Sequence, residues 1–146
     1  MKAMRFFMVA LMCMMVSSVC LADDRIVPVN QLPANAKLFV QEHFPEASIS
    51  YAVLDREFKG KRYDVRLNNN MEIEFDKKGN WIKVNCKGYP VPAALIPPMI
   101  SEYVKANFPD TDVTKIDKEH NRWEIKLSNG LDLKFNKSFK CIGVDD

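Results

Sequence analysis

Beyond residue 22 the chain carries two histidines, His43 and His120, and two cysteines, Cys86 and Cys141. These side chains could serve as general acid, general base or nucleophile near neutral pH. Their surroundings do not organise them for it. The sequence contains no GxSxG elbow, no Gly-rich phosphate loop, no HExxH and no CxxC. His43 falls near the end of a helical pattern and His120 in an expected hairpin turn, so both read as solvated or partly buried imidazoles. The stretch "FDKKGN" has the acidic start of a calcium loop but lacks its repeated Asp/Asn ligands and closing Glu, and reads as a plain β-turn. "PDTD" at 109–112 reads the same way. We therefore expect no catalytic residue, no metal ligand and no cofactor, and a protein that is not an enzyme.

The first 22 residues, "MKAMRFFMVALMCMMVSSVCLA", place Lys2 and Arg5 before an apolar run that ends in small residues. That is the pattern of a secretory signal peptide, with cleavage expected near Ala22 and a periplasmic or secreted product. The apolar run is shorter than the roughly 20 residues of a spanning helix, and Asp23, Asp24 and Arg25 follow it. A lipoprotein acylated at Cys20 is the alternative, disfavoured by the bulky Val19. Loss of Lys2 and Arg5 takes the 21 basic residues to 19, equal to the 19 acidic ones. A mature chain of net charge near zero gives no reason to expect nucleic acid, or membrane insertion after cleavage, as a partner. Cys86 and Cys141 would then meet an oxidising compartment, where a disulfide and a pair of buried free thiols are both open.

What positions the remaining residues is a repeat. "LPANAKLFVQEHFPEASI" from Leu32 aligns with "IPPMISEYVKANFPDTDV" from Ile96 at an offset of 64. Leu32, Ala36, Phe39, Val40 and their counterparts Ile96, Ile100, Tyr103, Val104 recur at helical spacing behind a proline. Pro45 and Pro109 close each helix. The period then drops to two. Tyr63, Val65, Leu67 and Met71, Ile73, Phe75 alternate with charged residues, as do Trp123, Ile125, Leu127 and Leu131, Leu133, Phe135. The expected fold class is α+β, a tandem duplication of one helix plus a four-stranded antiparallel meander. Both helices would pack on one face of a sheet of up to eight strands. The expected organisation is 1–22 signal peptide, 23–86 first repeat, 87–95 proline-rich connector and 96–146 second repeat.

Opposed residues in a hairpin must share a face, which fixes the turns. A three-residue loop at Asn68–Asn70 pairs Val65 with Ile73 and asks for a left-handed residue at Asn70, as at Gly130 in the second copy. A turn at Lys78-Gly79 pairs Phe75 with Ile82 and Ile73 with Val84 inside, and Glu74 with Lys83 outside. That register puts Trp81 on the solvent face. A turn at Lys59-Gly60 puts Ala52 and Leu54 inside, with Tyr51 and Val53 outside.

The helix ends "HFP" and "NFP", the stretch "YDVRLNNNMEIEFDKKGNW" and its second copy "WEIKLSNGLDLKF" resemble the exported bacterial PepSY-like proteins. Their fold is similar to that of the beta-lactamase inhibitory protein. The resemblance implies a tandem α+β repeat with a concave sheet face, and implies no catalytic residues. PepSY modules are associated with restraint of peptidases, an association that fold alone does not transfer.

The candidate site is thus the outward sheet face: Trp81, Tyr51, Val53, Arg62, Arg66, Glu72, Glu74 and Lys83. Aromatics among Arg and Glu have the composition of a protein-binding surface. The expected function is an exported non-enzymatic module that binds a protein or peptide, with inhibition of an enzyme as one form of it. The alternatives are a small-ligand carrier, which needs a deep pocket, and a hydrolase, which needs His43 or His120 converging with carboxylates.

Overall fold

The computed structural model describes residues 25–57 and 60–146, without the side chain of Glu57. The expected signal peptide and part of the first expected turn lie outside the described residues. Helix α1 spans Ala34–His43 and helix α2 spans Pro98–Asn107. Each starts just after a proline, Pro33 or Pro97, where the first-turn N–H groups have no intrahelical acceptor to lose. Each ends at a phenylalanine whose N–H reaches back one turn, Phe44 to Val40 at 2.8 Å and Phe108 to Val104 at 2.7 Å. The following Pro45 and Pro109 cannot extend the helix.

The strands are β1 (Arg25–Val27), β2 (Ile49–Glu57), β3 (Gly60–Leu67), β4 (Glu72–Asp76), β5 (Trp81–Asn85), β6 (Val113–Glu119), β7 (Arg122–Leu127), β8 (Asp132–Asn136) and β9 (Cys141–Asp145). They form one antiparallel sheet in sequence order, nine strands among the described residues. This corrects the expectation of at most eight. β1 is the addition, pairing Ile26 with Val53 and burying Val27 against β2. Three residues are too few to carry a period-two signal, which is why the sequence did not announce it.

The register explains the core. Ala52, Val65, Ile73, Val84, Ile116, Ile125 and Leu133 stand in one continuous cross-strand row through all but the edge strands. None is more than 1% exposed. Each large aliphatic in that row contributes about 1.5–3 kcal/mol by leaving water. Both helices lie over this face. Phe39 of α1 meets the edge of Phe75 at 5.5 Å, and Tyr103 of α2 meets Phe135 at 5.3 Å.

The hairpin at Asn68–Asn70 forms as expected, with Leu67 N–H donating to Met71 O at 2.9 Å and Asn70 at φ 70°. Gly130 takes the same place in the β7–β8 hairpin, at φ 90°. "FDKKGN" is a turn, with Asp76 Oδ1 accepting from the Lys78 and Asn80 N–H groups at 2.9 Å each. Its closure corrects the expected register. Asp76 N–H bonds Asn80 O at 2.8 Å, leaving three residues in the loop, so Phe75 faces Trp81 and not Ile82. Ile82 is left without a partner as a β-bulge, after which Glu74–Lys83 and Ile73–Val84 pair as expected. Gly79 closes the loop at φ 83°, and a Cβ there would overlap the Asn35 side chain and come within 2.7 Å of Pro33 Cβ. The tight loop is therefore docked on the start of α1.

The connector is packed rather than free. Val91 and Leu95 are buried, and Val91 N–H donates to Val113 O at 2.8 Å. Among the described residues Cys86 and Cys141 are free thiols, the first buried and the second half-buried.

Candidate functional site: the uncovered sheet face

With both helices on the core face, the opposite face carries the alternate residues of every strand. One row runs Val53, Asp64, Glu74, Lys83, Asp117, Glu124, Lys134. The next runs Tyr51, Arg66, Glu72, Asn85, Lys115, Lys126, Asp132 across the same seven strands. Like charges face each other at Asp64–Glu74, Asp117–Glu124 and Lys115–Lys126, and opposite charges pair elsewhere on the face. Arg66 bridges to Glu72, Lys87 reaches Glu72 at 3.2 Å, and Lys126 reaches Asp132 at 3.7 Å.

Six of the eight nominated residues meet here. Tyr51, Val53, Arg66, Glu72, Glu74 and Lys83 line a shallow depression of about 430 Å³ with Asp55 and Asp64. Tyr51 is 42% exposed and is the aromatic of this surface. Arg62 stands at its border, donating to Glu74 at 3.4 Å and Glu119 at 3.3 Å. Burial works against the Arg62 charge, but the two carboxylates outweigh it and hold its pKa above the usual value.

Trp81 does not belong to this face. The bulge turns it to the core side, where its ring lies 6.1 Å from Phe39 and 6.4 Å from Trp123. Lys118 Nζ sits 3.9 Å from the centre of its ring. The two residues have exchanged their expected roles: Trp81 packs against the core, while Ile82 lines a cleft at the sheet end with Arg62, Asp76 and Lys118.

Asp117 was not nominated, yet it occupies the centre of the uncovered face opposite Lys83. Burial, with Glu119, Glu74 and Glu124 nearby and against the pull of Lys83, raises its pKa to about 6. The signal that could have found it is the alternation in "VTKIDKE", where Ile116 points in and its neighbours out. Of the two histidines, His120 lines a pocket of about 350 Å³ with Asp117, Glu119, Arg122 and Glu124, and His43 lies apart from it. His43 stacks on Phe39 at 4.6 Å and approaches Glu42 at 3.9 Å, while His120 occupies the β6–β7 turn at φ 53°. Burial pushes the Cys86 thiol up to about 11, away from nucleophilic use.

Residues 61–143 match the model of the family described as "Putative beta-lactamase-inhibitor-like, PepSY-like". The chain belongs to the PepSY-like family. Three crystal structures resemble this member closely. A "putative periplasmic protein from DUF2874 family" of Bacteroides vulgatus is 42% identical, with a TM-score of 0.81, covering 85% of this chain and 98% of its own. A "putative calcium-regulated periplasmic protein" of Bacteroides thetaiotaomicron is 41% identical, with a TM-score of 0.80 and the same two coverages, 85% and 98%. A "putative periplasmic protein of unknown function", also of Bacteroides vulgatus, is 32% identical at TM-score 0.81, covering 84% and 99%. No curated protein matches the chain. Among the described residues, no helix of this PepSY-like protein is long and apolar enough to cross a membrane.

Proposed function

We propose that this PepSY-like protein is an exported, non-enzymatic binding module that holds a protein or peptide of the cell envelope on its uncovered sheet face. The observation that carries the reading is the burial of both helices on one face. It leaves the other as a broad surface of paired charges with Tyr51 and Val53 at a shallow depression. Paired charges in solvent add little to stability, so their value lies in matching a partner's potential. The inhibitor-like name of the family favours a partner that is itself an enzyme. Periplasmic relatives favour removal of residues 1–22 and a periplasmic location.

The helix-plus-four-strand order of β2–β5 and β6–β9 supports a duplicated unit, with halves 23–86 and 96–146 about the connector 87–95. Calcium regulation is named in the description of the Bacteroides thetaiotaomicron relative. Among the described residues of this chain, no three His, Cys, Asp or Glu side chains gather in a way that could hold a metal ion.

The test is affinity capture from the envelope of the source cell, using immobilised wild type beside Tyr51→Ala and Arg66→Ala. An anchor residue at the centre of an interface is worth about 2 kcal/mol, so each variant should retain the partner roughly 30-fold less well. Thermal melts should show both variants folded. Equal retention on all three proteins, or no partner specific to the wild type, overturns the reading.

A further inference from the structure

The sign of the charge changes between the uncovered face and one end of the sheet. The depression is acidic, with Asp55, Asp64, Glu72 and Glu74 against Arg66 and Lys83. At the end of the sheet formed by Gly60, the β4–β5 loop and the β6–β7 turn, the balance is reversed. There β5 and β6 part, pairing only from Lys83–Asp117 to Asn85–Lys115. The gap opens a cleft of about 800 Å³ whose lining holds Lys61, Lys77, Lys78, Lys118 and Arg62 against only Asp76 and Glu119. Ile82, expelled from the pairing by the bulge, supplies an apolar patch in the cleft.

Lys118 gives the cleft its chemistry. Its ammonium sits over the Trp81 ring at 3.9 Å and forms no ion pair among the described residues. A half-buried ammonium whose close partner is a π-face still has donors to give. The guanidinium of Arg62, the one fork in the cleft, is already engaged by Glu74 and Glu119. The remaining cations, Lys61, Lys77, Lys78 and Lys118, come from three hairpins and share the cleft lining with Ile82, Asp76 being the carboxylate that acts on Lys118. A compact anion wants converging donors or a free guanidinium fork. Separated lysines about an isoleucine suit a chain that carries several carboxylates and an apolar side chain.

We propose that this cleft binds an acidic peptide segment of the protein partner, its carboxylates on Lys118, Lys78 and Lys61 and an apolar residue on Ile82. The inference rests on the sheet-face reading and gives that partner its chemistry. The probe is a fluorescein-labelled Glu-Glu-Leu-Glu-Glu peptide, followed by anisotropy and by amide shift mapping on the full secreted chain. Binding should shift Ile82, Lys78 and Lys118 and weaken steeply with added salt. Lys118→Met and Lys78→Gln should each lower affinity about tenfold, as loss of a charged hydrogen bond does. Lys78 lies on the exposed β4–β5 loop, so Lys78→Gln retains the test if Lys118→Met disturbs the Trp81 packing. Absence of binding, equal binding by both variants, or equal affinity for the matching lysine peptide Lys-Lys-Leu-Lys-Lys overturns the proposal. Displacement by millimolar inorganic phosphate would reassign the cleft to small anions and overturn it as well. A partner that depends on Tyr51 while the probe fails to bind sinks the cleft alone. The reverse result sinks the sheet-face reading.

Discussion

Asp117 holds its carboxyl in the middle of a sheet face beside three other carboxylates and one lysine, and its pKa of about 6 exceeds the ordinary 3.8. The folded state therefore binds this proton more tightly than the unfolded state. The sign of the linkage follows: stability is greatest with the proton on, and it falls as pH rises from about 4 to 6. Two pKa units correspond to almost 3 kcal/mol, but solvent screening of a half-exposed group reduces this to about 1 kcal/mol. Asp117→Asn should raise stability at pH 7 by about 1 kcal/mol and flatten the profile between pH 4 and 6. Denaturant melts across that range decide it; a variant as pH-sensitive as wild type would refute the assignment.

At the scale of the element, the bulges determine which side chains face the core. In β5 the loop closes one residue early and Ile82 takes up the difference. In β9 the same shift leaves Ile142 unpaired and 53% exposed, with Cys141 facing Phe135. Phe139, at φ 62°, stands in the β8–β9 loop where the β4–β5 loop has Gly79, and packs 5.8 Å from Trp123. Trp81→Ala should therefore cost about 3 kcal/mol as an aromatic truncation at the core, and Ile82→Ala less than about 1 kcal/mol. Urea melts of the two variants in parallel check this, and the reverse ranking would restore the unbulged register. Helices and strands were legible because burial on one side writes a period into the sequence. The Asn70 turn was legible because few residues accept a left-handed backbone. The bulge was not, since "DKKGNWI" accommodates a two-residue and a three-residue loop. Asp76 Oδ1 holds the longer one by accepting from the Lys78 and Asn80 N–H groups, as Asn136 Oδ1 does from Ser138 and Lys140, and Gly79 lets it sit against Pro33 and Asn35. A one-residue difference in loop length inverts the residue beside the loop and leaves the rest of the strand in phase, which is why Trp81 was placed on the wrong face while Tyr51, Arg66 and Lys83 were placed on the right one.

At the scale of the whole molecule, two similar halves could behave as two folding units or as one. The direct pairing of β5 with β6 is short, yet other contacts reinforce it. Val84 and Ile116 lie in one buried row, Cys86 N–H donates to Thr114 O at 2.9 Å, and Val91 ties the connector to Val113. Trp81 of the first half and Trp123 of the second stand 6.4 Å apart. Neither half keeps its core covered if the other opens, because parting them exposes the middle of that row to water. The halves should then unfold together. The chain has two tryptophans, one in each half, so Trp123→Phe leaves Trp81 to report the first half and Trp81→Phe leaves Trp123 to report the second. Within each variant, tryptophan emission should follow the same urea curve as far-ultraviolet circular dichroism, which reports the whole chain. A lag between the two probes in either variant would mean that the halves open separately and that the β5–β6 junction is a hinge. Coincidence in both makes the sheet a single cooperative unit, with the depression and the basic cleft held on one folded body.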